Sequence, residues 1–251
     1  MNHFDKYEEK GPYHWKALYG EGWMRSSPRL HARYDIPIRL LSSRLNLENS
    51  TGLDVGCGDG VLLYKIRKLG GDIVGLDTSE TGLQLAKEQL ETRGVLSTRL
   101  INSSCYEMPF DDGRFDYVTS VELIEHLQDV NRFLGEVRRI LRPGGWFVCT
   151  TPNRKENQAP DTVRDPFHVH EFSPAELSKT LSKVFKTTEV YGAYPSALDK
   201  LYVRNKRLEC SDKVARLVFR AFSFLFFNPY VERLDDKPTT SNSLLVSVSK
   251  Q

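Results

Sequence analysis

From about residue 50 onward, short apolar runs alternate with longer stretches in which apolar residues recur every three or four positions. These are the two periods of strands and of core-facing helices. The short runs predict strands near 52–55, 72–77, 98–101, 115–121 and 145–150, and the longer stretches predict helices over 60–69, 79–92 and 130–141. Thr78 or Ser79 offers an N-cap for the second helix, and Pro143-Gly144-Gly145 stops the third. Another helix opens at Ser173-Pro174-Ala175-Glu176, where a capping serine, a first-turn proline and an acid coincide. Final strands are expected near 184–191 and 244–249. Strands separated by amphipathic helices build a parallel sheet, so the fold class is α/β. Ahead of the sheet, 29–45 reads as helical despite Pro37, and no internal repeat is visible.

Candidate chemistry concentrates where the first strand ends. Leu53-Asp54-Val55-Gly56-Cys57-Gly58-Asp59-Gly60 carries apolar residues into a strand and then small ones through a tight turn, which leaves room for a ligand against bare backbone. The next strand, Val74-Gly75-Leu76-Asp77, ends in a carboxylate placed to accept from two ribose hydroxyls. Together they describe a nucleoside site. The dinucleotide fingerprint G-x-G-x-x-G needs glycine at Val61, whereas this loop reads G-x-G-x-G with Asp54 ahead of it. A carboxylate there repels phosphates and suits an ammonium or a sulfonium, so the chemistry favours S-adenosylmethionine.

These residues resemble the class I S-adenosylmethionine-dependent methyltransferases, in the type 11 or ubiquinone-methyltransferase-like group. The likeness runs from about 50 to 191. Beyond the glycine loop and Asp77 it takes in Cys105-Tyr106-Glu107-Met108-Pro109-Phe110-Asp111-Asp112-Gly113-Arg114-Phe115-Asp116, Glu122-Leu123-Ile124-Glu125-His126 and Leu141-Arg142-Pro143-Gly144-Gly145. It implies a Rossmann-like seven-stranded sheet, parallel except for its last strand, with helices on both faces. It also implies S-adenosylmethionine as cosubstrate, held by Asp54, Gly56, Cys57, Gly58, Asp77, Thr78, Ser104, Cys105 and Val121. The backbone of Gly56 and Gly58 would pass under the methionine part, Asp54 would meet its amino group, and the loop at Ser104 and Cys105 would clamp adenine. Most relatives carry Asp where Ser104 stands, so the adenine bond is expected to weaken or to shift to Asn102 or Ser103. Met108 and Pro109 pack either on the purine or simply in the core.

The 251 residues suffice for a sizeable core, and the 39% hydrophobic content is ordinary for a globular chain. With 35 basic and 33 acidic residues the formal charge is only +2, which argues against a nucleic-acid or acidic-membrane partner recruited by global charge. Cys57, Cys105, Cys149 and Cys210 lack C-x-x-C spacing, and no apolar run follows Met1. A reduced, cytoplasmic protein is the expectation. The chain divides into an extension (1–50), a cofactor-binding core (51–191), an insertion (192–243) and the last strand (244–251). In the extension, Trp15, Tyr19 and Trp23 are expected to form an apolar lid, with Arg25 reaching the cofactor carboxylate or an acidic acceptor; ordinary packing is the alternative. The insertion's centre, 213–230, puts 214, 217, 218, 221, 222 and 225 on one helical face. Core packing or a homodimer contact, a lid over an apolar acceptor, and a helix lying on a membrane all fit. It is too short and too charged to span a bilayer.

Candidate catalytic residues follow the fourth strand, at the sheet edge where ligands of open α/β folds collect. On a helical turn Glu122, Glu125 and His126 are i, i+3 and i+4 and converge. Downstream, His168 and His170 alternate as in an extended segment, so one of them faces the site. Two glutamates and two histidines could hold a divalent cation, an arrangement that resembles the small-RNA 3′-terminal 2′-O-methyltransferases. Glu122, Glu125, His126 and His168 are that metal set. Metal-free relatives also carry Glu-His here, which leaves a histidine base or a structural role open. Sulfonium methyl transfer needs alignment and one proton acceptor, and histidine titrates in the right range, so the reading leans to O-methylation of a small-molecule, sugar-linked or lipid-linked acceptor. The alternatives are an RNA 2′-O-methyltransferase, with Arg204, Lys206, Arg207, Lys213, Arg216 and Arg220 as a local phosphate patch, and a cofactor-binding protein without turnover.

Overall fold

The computed structural model describes residues 6–19, 28–154, 159, 163, 165–193, 234–239 and 244–251. Two short helices, α1 (Lys6–Lys10) and α2 (Tyr13–Tyr19), precede α3 (Pro28–Ser42). The alternating core then runs β1 (Thr51–Val55), α4 (Val61–Lys68), β2 (Asp72–Asp77), α5 (Glu80–Thr92), β3 (Leu100–Asn102), β4 (Phe115–Val121), α6 (Val130–Ile140) and β5 (Leu141–Pro152). It closes with α7 (Pro174–Leu181), β6 (Thr187–Ala193), β7 (Leu234–Asp235) and β8 (Leu244–Lys250).

The strand order is β3-β2-β1-β4-β5-β8-β6-β7. Pairs among β1 to β5 are parallel, while β8 runs antiparallel to both β5 and β6. The expected seven strands are therefore eight: β7 adds a two-residue antiparallel edge to Gly192 and Ala193 of β6. A pairing that short leaves no period-two signal in a sequence.

Alternating strand residues feed two cores. On one face Ile73, Tyr117, Val148 and Val246 pack with α3, α4 and α5 through Ile36, Leu41, Leu62, Ile66 and Leu83. On the other, Leu53, Val74, Val118, Phe147 and Leu245 pack with α6 and α7 through Phe133, Leu134, Val137, Leu177 and Leu181. Gly52 in β1 is required by its parallel partner, because an added Cβ would stand 2.1 Å from the Tyr117 ring.

Ser79 caps α5, its side chain accepting from the Gly82 N–H, and Ser173 with Glu176 completes a capping box on α7. Helix α6 ends at Ile140, before Pro143. The Pro-Gly-Gly stretch instead forms an irregularity inside β5, whose partners jump from Phe115↔Leu141 to Tyr117↔Trp146. Cys57, Cys105 and Cys149 are buried free thiols. Among the described residues no helix is long and apolar enough to cross a membrane. Trp23, Arg25, Cys210, the 213–230 segment and the basic patch of the RNA alternative lie outside the described residues.

Candidate active site

Between β1 and β4 the strand order reverses direction, and the loops leaving their carboxyl ends border a cleft of about 780 Å³. One end is walled by Asp54, Gly56, Cys57, Asp77 and Ser79, and the other by Glu122, Glu125, His126, Asp165 and His168, with Val121 and Leu123 between.

At the first end the turn is built on left-handed glycines: Gly56 has φ +77 and Gly58 φ +51. Asp77 is held in place by backbone. Its Oδ2 accepts from Gly58 N–H at 2.8 Å and its Oδ1 from Ser79 N–H at 2.9 Å. Asp54 is 2% exposed and accepts from the Thr119 hydroxyl at 2.8 Å. Burial pushes its pKa up to about 7, with the charge of Asp77 adding and the Thr119 bond opposing. Of the remaining expected cofactor contacts, Gly58 packs under the Tyr7 hydroxyl, which an added Cβ would meet at 1.9 Å. Thr78, Ser104 and Cys105 stand outside the cleft wall. The Thr78 carbonyl accepts from Asn102 Nδ2 at 3.0 Å, Ser104 Oγ accepts from the Tyr106 N–H at 3.2 Å, and Cys105 packs in the second core.

At the second end, the expected helical turn is a 3-10 turn over Ile124–His126, with Glu122 outside it at φ +54. All three candidates still reach the cleft. Glu122 pairs with Arg33 of α3 at 3.3 Å. Burial works against the Arg33 charge, but Glu122, together with Tyr34, Glu125 and Tyr13, outweighs it and holds the guanidinium pKa above its usual value. Glu125 is fully buried, accepts from the Thr151 hydroxyl at 3.0 Å, and leaves Oε1 without a hydrogen-bond partner among the described residues. Burial, with Glu122 adding, raises its pKa well above the carboxylate range. His126 Nδ1 lies 2.9 Å from the Phe167 carbonyl, which can only accept, so this nitrogen carries the proton. The His168 ring stands edge-on to His126 at 5.0 Å, with Nδ1 2.9 Å from buried Glu171. Donor atoms of Glu125, His126 and His168 all lie within 4.8 Å of one another, close enough for a cation; Glu122, committed to Arg33, is not of that group. His170 turns away, its ring 4.6 Å from Phe172 and its N–H bonded to the Glu125 carbonyl.

The extension supplies a wall that the sequence reading placed elsewhere. Tyr7, Tyr13, His14, Arg33 and Tyr34 line the cleft. Trp15 instead sits buried behind it, under the Arg93 guanidinium at 4.1 Å and beside Tyr19 at 5.3 Å. The sequence offers for this wall only an extension, residues 1–50, rich in aromatic and basic residues, a composition that names no partner.

A parallel-centred α/β sheet with a glycine turn, a strand-end carboxylate and a cleft at its switch point defines a nucleoside-using enzyme of the Rossmann-like class. The Methyltransferase domain family matches residues 53–149. A ubiquinone biosynthesis O-methyltransferase of Hydrogenovibrio crunogenus is 32% identical over 208 residues, covering 81% of this chain and 77% of that one. Solved structures with the same fold include a putative sarcosine dimethylglycine methyltransferase of Galdieria sulphuraria, with TM-score 0.64, 18% identity and 98% coverage of each chain. A Haemonchus contortus phosphoethanolamine N-methyltransferase in complex with S-adenosyl-L-methionine matches with TM-score 0.65 and 16% identity, covering 98% of this chain and 58% of that one. The chain belongs to the class I S-adenosylmethionine-dependent methyltransferases, in the ubiquinone-methyltransferase-like group. It is a transferase with S-adenosylmethionine as cosubstrate, which sets aside the reading as a cofactor-binding protein without turnover.

Proposed function

We propose that this enzyme methylates a hydroxyl oxygen of a small-molecule, sugar-linked or lipid-linked acceptor, with His126 as the general base. The observation that carries this is the His126 tautomer. Its Nδ1–H donates to the Phe167 carbonyl at 2.9 Å, which puts the basic lone pair on Nε2 of a ring lining the cleft. In the reaction, the acceptor oxygen forms a bond to the methyl carbon as the carbon–sulfur bond breaks. The sulfur keeps the electron pair, and His126 takes the hydroxyl proton.

The glycine-loop end fits the cosubstrate. Asp77, fixed by two backbone amides, is preorganised for the ribose hydroxyls, and buried Asp54 is suited to the methionine ammonium. Among the described cleft-lining residues, Arg33, already paired with Glu122, is the guanidinium that a cofactor or acceptor carboxylate would meet. Ser104 and Cys105, with Asn102 and Ser103, remain the adenine loop of this reading. His168 buttresses His126 and is itself oriented by Glu171. The oxygen assignment agrees with the name of the Hydrogenovibrio crunogenus relative.

The test is incubation with labelled S-adenosylmethionine and hydroxyl acceptors of graded apolarity, comparing wild type with His126→Gln. Methyl transfer to oxygen that falls steeply in the variant supports the reading; unchanged transfer removes the base.

A second reading has its own observation. Glu125, His126 and His168 fit a divalent cation, and buried Glu125 points an unpartnered oxygen among the described residues. A cation there would lower the pKa of a coordinated hydroxyl. Calorimetry with manganese or magnesium in the presence of S-adenosylhomocysteine decides: heat at one site supports the metal, and neither heat nor chelator sensitivity removes it.

A further inference from the structure

We propose that His14 and Asp59 form a latch that fastens α1 and α2 over the cofactor end of the cleft and sets how fast S-adenosylhomocysteine leaves. The inference rests on the reading that the cosubstrate lies against Gly56 and Asp77.

Asp59 sits inside the glycine turn, between Gly58 at φ +51 and Gly60 at φ +83, and is 1% exposed. A carboxylate buried that deeply needs hydrogen-bond partners. Both of its oxygens turn to α2: His14 Nδ1 lies 2.9 Å from Oδ1, and the His14 N–H donates to Oδ2 at 3.2 Å. The Asp59 carbonyl accepts from the Trp15 indole at 2.5 Å. Thus the charged side chain of the cofactor turn is committed to the helical cap.

The rest of the cap lies on the same turn. The Tyr7 hydroxyl rests on Gly58, and its ring edge lies against Gly82 of α5, where an added Cβ would approach it to 3.1 Å. Tyr7 stacks on Tyr13 at 5.5 Å, and both line the cleft together with Asp77. Helices of five and seven residues do not persist alone in water, so α1 and α2 are held by docking. Elements of this kind open locally long before the sheet does.

A ligand leaning on the glycine turn and a cap fastened to that turn stabilise each other to the same extent, by linkage. The demethylated product must leave after every turnover, and cap opening is then a candidate for the slow step. His14 and Asp59 act as positioning residues in this scheme.

The test measures release of S-adenosylhomocysteine by stopped flow from the full chain, in wild type, His14→Ala, His14→Asn, Asp59→Ala and the His14→Ala/Asp59→Ala double variant. Loss of one buried hydrogen-bonded partner is expected to speed release about tenfold. The double variant should release no faster than either single, and His14→Asn, which keeps a donor, should recover slower release. Deuterium uptake over 6–19 should rise in His14→Ala while β1, β4 and β5 keep wild-type protection, and bound product should lower uptake over 6–19 in wild type. If Asp59→Ala does not fold, the contrast between His14→Ala and His14→Asn still decides. Wild-type release from His14→Ala, or faster release accompanied by lost protection across the sheet, overturns the latch. Failure of wild type to bind S-adenosylhomocysteine overturns the cofactor placement and the latch with it.

Discussion

Asp54 makes cofactor affinity depend on pH in a direction that can be worked out. Its carboxyl is fully buried, and burial raises its pKa from 3.8 to about 7, with Asp77 adding to the shift. A cofactor ammonium settling beside it favours the ionised form. If the bound state keeps Asp54 ionised, affinity follows the ionised fraction in the free protein. Below pH 7 that fraction falls about tenfold per pH unit, or roughly 1.4 kcal/mol each, so binding at about pH 5 is about 100-fold weaker than at about pH 8. Calorimetric titration of S-adenosylhomocysteine across this range, with wild type and Asp54→Asn, checks it. The wild type should release a proton on binding below about pH 7, whereas the variant should bind weakly with a flatter profile. Equal pH slopes for the two proteins would refute Asp54 as the ammonium partner. The sign for folding is opposite to that of a paired carboxylate. Because the folded pKa lies above the unfolded one, the stability contributed by Asp54 is fully present below about pH 4 and is lost as pH rises through about 7. Ligand-free Asp54→Asn should therefore melt higher than wild type at about pH 8.

Three further outcomes are expected. His126→Gln should lower kcat by about a hundredfold to ten-thousandfold while leaving the Kd for S-adenosylhomocysteine unchanged, as equilibrium binding beside steady-state kinetics will read. Asp77→Ala removes the proposed ribose acceptor and the partner of the Gly58 and Ser79 amides, so product affinity should fall by about tenfold to a hundredfold in the same binding assay. Gly52→Ala drives a methyl into the Tyr117 ring, and its overpacking should cost about 1–3 kcal/mol, seen as a lower Tm with the cofactor site untouched.

What the sequence disclosed and what it hid divide along physical lines. Local signals were legible: the glycine turn, the strand-end Asp77, the capping box at Ser173 and Glu176, and the alternation that places α4, α5 and α6 between parallel strands. The alternation of His168 and His170 said only that one of them faces the site and not which; His168 lines the cleft while His170 packs on Phe172. Long-range pairings were hidden. His14 meets Asp59 and Arg33 meets Glu122 across the fold, and no period or cap announces such contacts. Glu122 adopts a left-handed conformation that propensity would assign to glycine or asparagine, and it stands outside the tighter 3-10 turn over Ile124–His126. The Trp15 indole was read as a lid because it is large and apolar, yet the same property buries it behind the cleft wall and leaves the amphipathic tyrosines on the surface of the site.

The most direct test of the central claim is where the methyl goes. Wild-type enzyme incubated with S-adenosylmethionine carrying a carbon-13 methyl and a mixed pool of phenolic, sugar and lipid-linked alcohols can be followed by NMR, which identifies the atom bearing the label. Label on oxygen, abolished by His126→Gln, is the expected result. Label on nitrogen or carbon alone would contradict it.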